Sequence, residues 1–266
     1  MIEIGRSTVP LTRPAIAGRG LRPCIVRKTS MELTSDRPAL PAPIELIIFD
    51  LDGTLIDSQQ DLALSVNAVR ERLGLEPLPY GTVASYVGRG VVTLMRRALG
   101  QNAGEESVNR AVEMFLEYYC DHMLDHTLAY PGVAEALERL RARKMAVLTN
   151  KPVRFSQAIL DGLGLSNYFA QVYGGNSFEQ KKPDPVGVFT LMRELGATAG
   201  RTLMVGDSDT DVLTGRNAGV WTCGVTYGLA PDTLKTSPPD VLLDDLRELP
   251  ALLNGSSEQR PVASDT

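Results

Sequence analysis

Ile44-Glu45-Leu46-Ile47-Ile48-Phe49-Asp50-Leu51-Asp52-Gly53-Thr54-Leu55 changes character at its midpoint. An almost unbroken apolar run stops at an aspartate, a second aspartate stands two residues on, and a glycine opens the turn. A run of this kind fits a parallel strand covered on both faces, where no polar–apolar alternation is needed. Similar runs recur at 145–148, 171–173, 202–205, 222–225 and 241–243. Apolar residues at helical spacing fill the stretches between them, over 133–143, 153–163, 186–195 and 211–218. Strands alternating with helices predict an α/β fold with a doubly wound parallel sheet.

One interval interrupts the rhythm. Between the first strand and the second lie about ninety residues, too many for a crossover loop in a compact sheet. Apolar positions there repeat at helical spacing, as in Leu62, Val66, Val69 and Leu73, then Val91, Leu94, Met95 and Ala98, then Val108, Val112, Phe115 and Leu116. The spacing predicts a helical insert at the carboxyl end of strand one, where such sheets bind their ligands. The expected organisation is therefore a disordered or extended arm over 1–43, a core over 44–57 and 131–253, a helical cap over 58–130, and a flexible tail over 254–266.

Composition narrows the function. The chain of 266 residues carries 27 basic and 32 acidic side chains, a formal charge of −5, which argues against a nucleic-acid surface and for small-molecule work. No uncharged apolar run reaches the roughly 18 residues of a membrane span. Cys24, Cys120 and Cys223 are scattered and odd in number, so they form neither a disulfide framework nor a zinc ribbon. A reducing cytoplasm is the simplest home. Residues 1–30 hold six of the basic residues against Glu3 alone, with prolines at 10, 14 and 23. They lack the amphipathic period of a transit peptide and the apolar stretch of a secretory signal. They are expected to be a dispensable arm, with Met31 standing just ahead of the first strand pattern.

The acids carry the chemistry. Asp50 and Asp52 crowd one turn, and their repulsion raises at least one pKa unless a cation intervenes. A hard, oxygen-seeking ion such as Mg²⁺ relieves it and leaves positions open for a phosphate. A plain turn with glycine at the bend is the bland alternative. Against it stands Gly206-Asp207-Ser208-Asp209-Thr210-Asp211 at another strand end. Helix capping accounts for one or two of those acids but not three. Thr149-Asn150 closes the second strand ahead of Pro152, placing a hydroxyl and free N–H groups at a helix start. In Lys182-Pro183-Asp184-Pro185 the first proline keeps Lys182 extended, Asp184 and Pro185 read as N-cap and first helical residue, and the lysine is free to face a phosphate.

Taken in order, Asp50-x-Asp52-Gly53-Thr54-Leu55, Thr149, Lys182-Pro183 and Gly206-Asp207-x3-Asp211 resemble the four-motif signature of the haloacid dehalogenase-like superfamily, from about residue 44 to 253. The resemblance implies a Rossmann-like core with an inserted α-helical cap. It implies that Asp50 is the nucleophile and forms an aspartyl-phosphate, and that Asp52 is the general acid and base. It further implies Mg²⁺ held by Asp50, the Asp52 backbone carbonyl, Asp207 and Asp211, with Thr149 and Lys182 on the phosphoryl oxygens. Dehalogenases lack the second acid. Phosphonoacetaldehyde hydrolases need a cap lysine, and residues 58–130 contain none.

Within that superfamily, Thr149-Asn150-Lys151-Pro152, Tyr173-Gly174-Gly175, Val87-Gly88-Arg89-Gly90 and Tyr130-Pro131-Gly132-Val133 resemble phosphoglycolate phosphatases. Asn176 stands where that family often has Asp. The resemblance implies a small phosphorylated metabolite as partner, with Asn150 and Arg89 expected to touch substrate, Arg89 by reaching a carboxylate under the closed cap. A monomer or homodimer without nucleic-acid or membrane partners is expected. Rival expectations are a pyrophosphatase, a broad sugar- or nucleotide-phosphate phosphatase, a phosphoglucomutase-like enzyme, and a phosphate-sensing regulatory protein. His122 and His126 have zinc spacing, but no third ligand is visible and a solvated helix end is expected.

Overall fold

The computed structural model describes residues 43–100 and 102–255; the arm before residue 43 and the tail after 255 lie outside the described residues. In chain order the elements are β1 (Leu46–Phe49), β2 (Ile56–Asp57), α1 (Gln59–Arg72), α2 (Tyr80–Ala84), α3 (Val91–Leu99), α4 (Glu105–His122), β3 (Leu128–Ala129), α5 (Val133–Arg139), β4 (Lys144–Leu148), α6 (Val153–Gly162), β5 (Gln171–Tyr173), α7 (Val186–Leu195), β6 (Thr202–Gly206), α8 (Asp209–Ala218), β7 (Trp221–Val225), β8 (Val241–Leu243) and α9 (Leu249–Gly255). Six strands form one parallel sheet in the order β5-β4-β1-β6-β7-β8. This is the expected α/β class.

Both faces of the sheet are covered, which is why its strands read as apolar runs. Ile47 and Phe49 pack with Met145, Val147, Leu203 and Val205 against α5, α6 and α9. Leu46 and Ile48 point the other way, with Ala146, Leu148 and Met204, against α7 and α8. Every β1 side chain is buried. Crossovers from β1 run outward on one side through β4 to β5, and on the other from β6 through β7 to β8. The switch point therefore lies between β1 and β6, where open α/β sheets bind ligands.

The chain from 58 to 127 folds as the four helices α1 to α4. Their inner positions, including Val66, Val69, Met95, Ala111 and Phe115, are continuous with the apolar layer on one face of the sheet. An antiparallel ribbon of β2 with β3 joins both chain passes between helices and sheet. Periodicity could not announce it, since each strand has two residues. Asp61 lies in the first turn of α1. Here it is fully buried and accepts from the His126 and Thr127 amides (3.0 and 2.8 Å) and from Thr127 Oγ1 (2.7 Å).

Boundaries differ from the expectations in small ways. Pro152 and Pro185 occupy the N-cap positions of α6 and α7 rather than their first turns, while Asp184 Oδ1 still accepts from the Val186 amide at 2.9 Å. Helix α8 begins at Asp209 because Ser208 caps it. Asn254 and Gly255, the start of the expected tail, belong to α9. Among the described residues no helix is long and apolar enough to cross a membrane.

Candidate active site

Strand β1 ends at the switch point, and the Asp50 amide donates to the Val205 carbonyl at 2.9 Å, extending the ladder by one residue. The turn that follows needs Gly53 for two reasons. Its φ is +85°, a region costly for other residues, and a Cβ there would collide with the Asp207 carboxylate. Asp207, just past β6, is held from the far side by the loop after β7, whose Leu229 and Ala230 amides donate to Oδ2 at 2.7 and 3.0 Å. Asp211 caps its own helix. Its Oδ2 accepts from the Ser208 hydroxyl (2.7 Å) and amide (3.2 Å).

Carboxylate oxygens of Asp50, Asp207 and Asp211 all lie within 4.8 Å of one another, and all three residues are buried. Lys182 bridges two of them, its ammonium 2.8 Å from Asp50 Oδ1 and 2.7 Å from Asp211 Oδ1. One cation against three carboxylates leaves the cluster underneutralised. Burial pushes the Asp50 carboxyl up to about 6, with Lys182 opposing and Asp211 adding to the rise. Burial, then repulsion from Asp211 and Asp50, pushes Asp207 up to about 8. Burial works against the Lys182 ammonium, but Asp211 and Asp50 more than offset it and hold its pKa above the ordinary value. An oxygen-only, anionic donor set of this kind fits a hard divalent cation.

Asp52 faces the cap instead. Its Oδ1 accepts from Ser58 Oγ at 2.5 Å and from Lys151 Nζ at 2.9 Å, and Oδ2 takes a second contact from Lys151 at 3.2 Å. Lys151 in turn lies 4.7 Å from the centre of the Tyr119 ring on α4. Neither Ser58 nor Lys151 was singled out from the sequence. Lys151 sits inside the quoted Thr149–Pro152 stretch, but its partner is 99 residues away, beyond the reach of any local pattern.

The remaining sequence candidates divide. Thr149 is buried at the crevice, its Oγ1 accepting from the Lys151 amide at 3.3 Å. Asn150, expected to touch substrate, spends its side chain on backbone. Oδ1 accepts from the Lys182 amide (3.0 Å) and Nδ2 donates to the Lys182 carbonyl (3.1 Å) and the Gly88 carbonyl (3.0 Å). It thereby ties the lysine loop to the cap loop. Gly175 is required beside it, because a Cβ there would strike the Asn150 carbonyl. Arg89 lies on the rim, 57% exposed, 3.7 Å from Asp209 Oδ2. Asn176 Oδ1 accepts from the Val153 amide at the start of α6, at 2.9 Å. The two histidines are apart in function: His122 Nδ1 meets Asp125 at 2.7 Å, and His126 Nδ1 meets Asp61 at 2.9 Å. They form no shared site.

Two cavities meet at Asp50 and Asp52. One, of about 190 Å³, is lined by Arg89, Arg97, Asp207 and Asp209 among others. The other, of about 50 Å³, runs beneath the cap to Lys151, Tyr119 and Phe155.

This arrangement can be set beside known proteins. The family model described as haloacid dehalogenase-like hydrolase matches residues 47–225. A phosphoglycolate phosphatase of Pseudomonas fluorescens is 40% identical over 223 residues, 80% of this chain and 81% of the relative. One from Vibrio parahaemolyticus is 40% identical over 217 residues, 77% of this chain and 94% of the relative. A crystal structure from Haemophilus somnus, described as a predicted phosphoglycolate phosphatase, superposes with a TM-score of 0.74 at 32% identity, covering 78% of this chain and 97% of its own. With its acids gathered at the switch point of the sheet and relatives matched across both core and insert, the chain belongs to the haloacid dehalogenase-like hydrolase family.

Proposed function

We propose that the chain is a Mg²⁺-dependent phosphoglycolate phosphatase, hydrolysing a small phosphomonoester through an aspartyl-phosphate on Asp50. The observation that carries this is the convergence of the Asp50, Asp207 and Asp211 carboxylates within 4.8 Å, with Lys182 spanning two of them. The names of its 40%-identical relatives support the choice of substrate. Asp50, Asp207 and Asp211, with the Asp52 carbonyl, would hold Mg²⁺, which when bound offsets negative charge on the phosphoryl group and orients it.

A carboxylate oxygen of Asp50 attacks phosphorus, and the bond from phosphorus to the leaving oxygen breaks as Asp52 delivers a proton to that oxygen. Water then attacks the same phosphorus, giving its proton to Asp52, and the acyl-phosphate P–O bond breaks to return Asp50 and free phosphate. Lys182 and the Thr149 hydroxyl stabilise the charge spread over the phosphoryl oxygens. A cytoplasmic location and a monomeric or homodimeric state accompany this proposal, in keeping with the scattered cysteines.

The test is a Mg²⁺-supplemented panel of 2-phosphoglycolate, pyrophosphate, sugar phosphates and nucleoside monophosphates. A kcat/KM for phosphoglycolate at least about tenfold above the rest, some 1.4 kcal/mol of transition-state discrimination, is expected. Equal turnover across the panel would replace the assignment with a broad phosphatase.

A further inference from the structure

The smaller cavity contains two polar groups that the phosphoryl chemistry does not consume. Tyr119 Oη is buried, and its polar neighbour among the described residues is the Lys151 ammonium, which interacts with it without completing a well-aligned hydrogen bond. Native proteins rarely leave a buried hydroxyl unsatisfied, since doing so forfeits its hydration without return. Beside it the Lys151 ammonium, its side chain only 5% exposed, meets Asp52 and leans on the Tyr119 ring. An ammonium has three protons to donate, and among the described residues Lys151 meets one carboxylate, that of Asp52, besides the Tyr119 hydroxyl and ring. Both groups line the cavity that opens onto Asp50 and Asp52. Thr149 and Asn150 line its mouth near the carboxylates, the Asn150 side chain being spent on backbone, and Leu62, Val91, Leu94, Phe115 and Phe155 give apolar walls.

We propose that Lys151 and Tyr119 form the leaving-group subsite, and that it selects a short chain ending in a carboxylate. This rests on the phosphatase function proposed above and assigns its specificity. The volume, about 50 Å³, admits only a handful of heavy atoms, a single water needing at least ~10–15 Å³ on such a measure. Apolar walls deny partners to the hydroxyls of a sugar or the ribose of a nucleotide, each of which would be buried unsatisfied. They also lower the local dielectric, so an ammonium and a phenol facing one carboxylate bind it more strongly than they would in water. Lys151 is a specificity residue in this scheme, distinct from Lys182, which stays with Asp50 and Asp211.

The experiment compares 2-phosphoglycolate with propyl phosphate, of similar length but without the carboxylate, on the full-length, Mg²⁺-loaded chain. Wild type, Lys151→Met, Lys151→Arg and Tyr119→Phe are each assayed, with melting temperatures recorded. Wild type is expected to favour the acid. Lys151→Met should raise KM for phosphoglycolate about 100-fold and that for propyl phosphate only a few-fold, and Lys151→Arg should recover part of the preference. Tyr119→Phe should raise the phosphoglycolate KM roughly tenfold, as loss of a hydrogen bond to a charged group does, while melting at an equal or higher temperature. That pairing of weaker binding with undiminished stability is not what a structural tyrosine produces. A wild-type preference that survives Lys151→Met overturns the subsite and leaves the phosphatase assignment standing. Equal losses on both substrates also overturn it, making Lys151 a positioning residue for Asp52. Wild-type turnover of both esters without preference overturns the subsite and the choice of phosphoglycolate together, and no turnover of any phosphomonoester removes the enzyme assignment itself.

Discussion

The strand ends of the sheet and the helical insert contribute to one site in opposite ways. At the strand ends, Asp50, Thr149 and Asp207 each follow a buried run by a single residue, so local sequence and sheet register together set where they point. In the insert, Tyr119 and Arg89 reach the crevice only through the packing of helices onto the sheet. A group placed by register needs few neighbours to be correct. One placed by packing depends on many, so the proposed chemistry falls in short motifs while the proposed selectivity is spread through the chain.

That contrast can be broken by experiment. The largest effect should come from Asp50→Asn, which removes the attacking oxygen anion and should cut kcat by at least about 10,000-fold, as loss of a nucleophile does elsewhere; a steady-state assay with retained activity would detach Asp50 from the chemistry. Chelation should follow closely. EDTA should abolish turnover, excess Mg²⁺ should restore it, and a saturating ion that binds only the folded chain should raise the melting temperature by about 5 °C. No thermal shift with any divalent ion would mean the carboxylates do not bind one.

On the insert side, Asp61→Ala strands the donors of His126 and Thr127 in a buried place. It should cost roughly 3 kcal/mol in urea denaturation and change kcat less than it changes stability. Arg89→Ala should matter least, within about fivefold in kcat/KM, since exposed ion pairs contribute ~1 kcal/mol or less. A loss there as large as at Asp50 would erase the distinction between the two regions.

How much was legible follows the same line. All six sheet strands stood out because a strand covered on both faces needs an unbroken apolar run, as Leu46 to Phe49 shows. The acids stood out because carboxylates so close together are hard to explain without a cation. The β2–β3 ribbon was invisible, four residues being too few for any period. Lys151 and Asp61 were missed for another reason: each finds its partner far along the chain, 99 and 65 or 66 residues away. Asn150 was expected to touch substrate, but which groups claim an amide is a matter of tertiary geometry. Here the Lys182 backbone claims it.

The ribbon itself has a consequence for how such a chain can diversify. Ile56 pairs with Ala129 and Asp57 with Leu128, so the excursion leaves and re-enters at facing rungs about one strand spacing apart. Whatever hangs between those rungs, its length barely alters the closure entropy, which grows only logarithmically. The sheet can thus keep its strand-end carboxylates while the seventy residues between Asp57 and Leu128 are exchanged for another fold altogether.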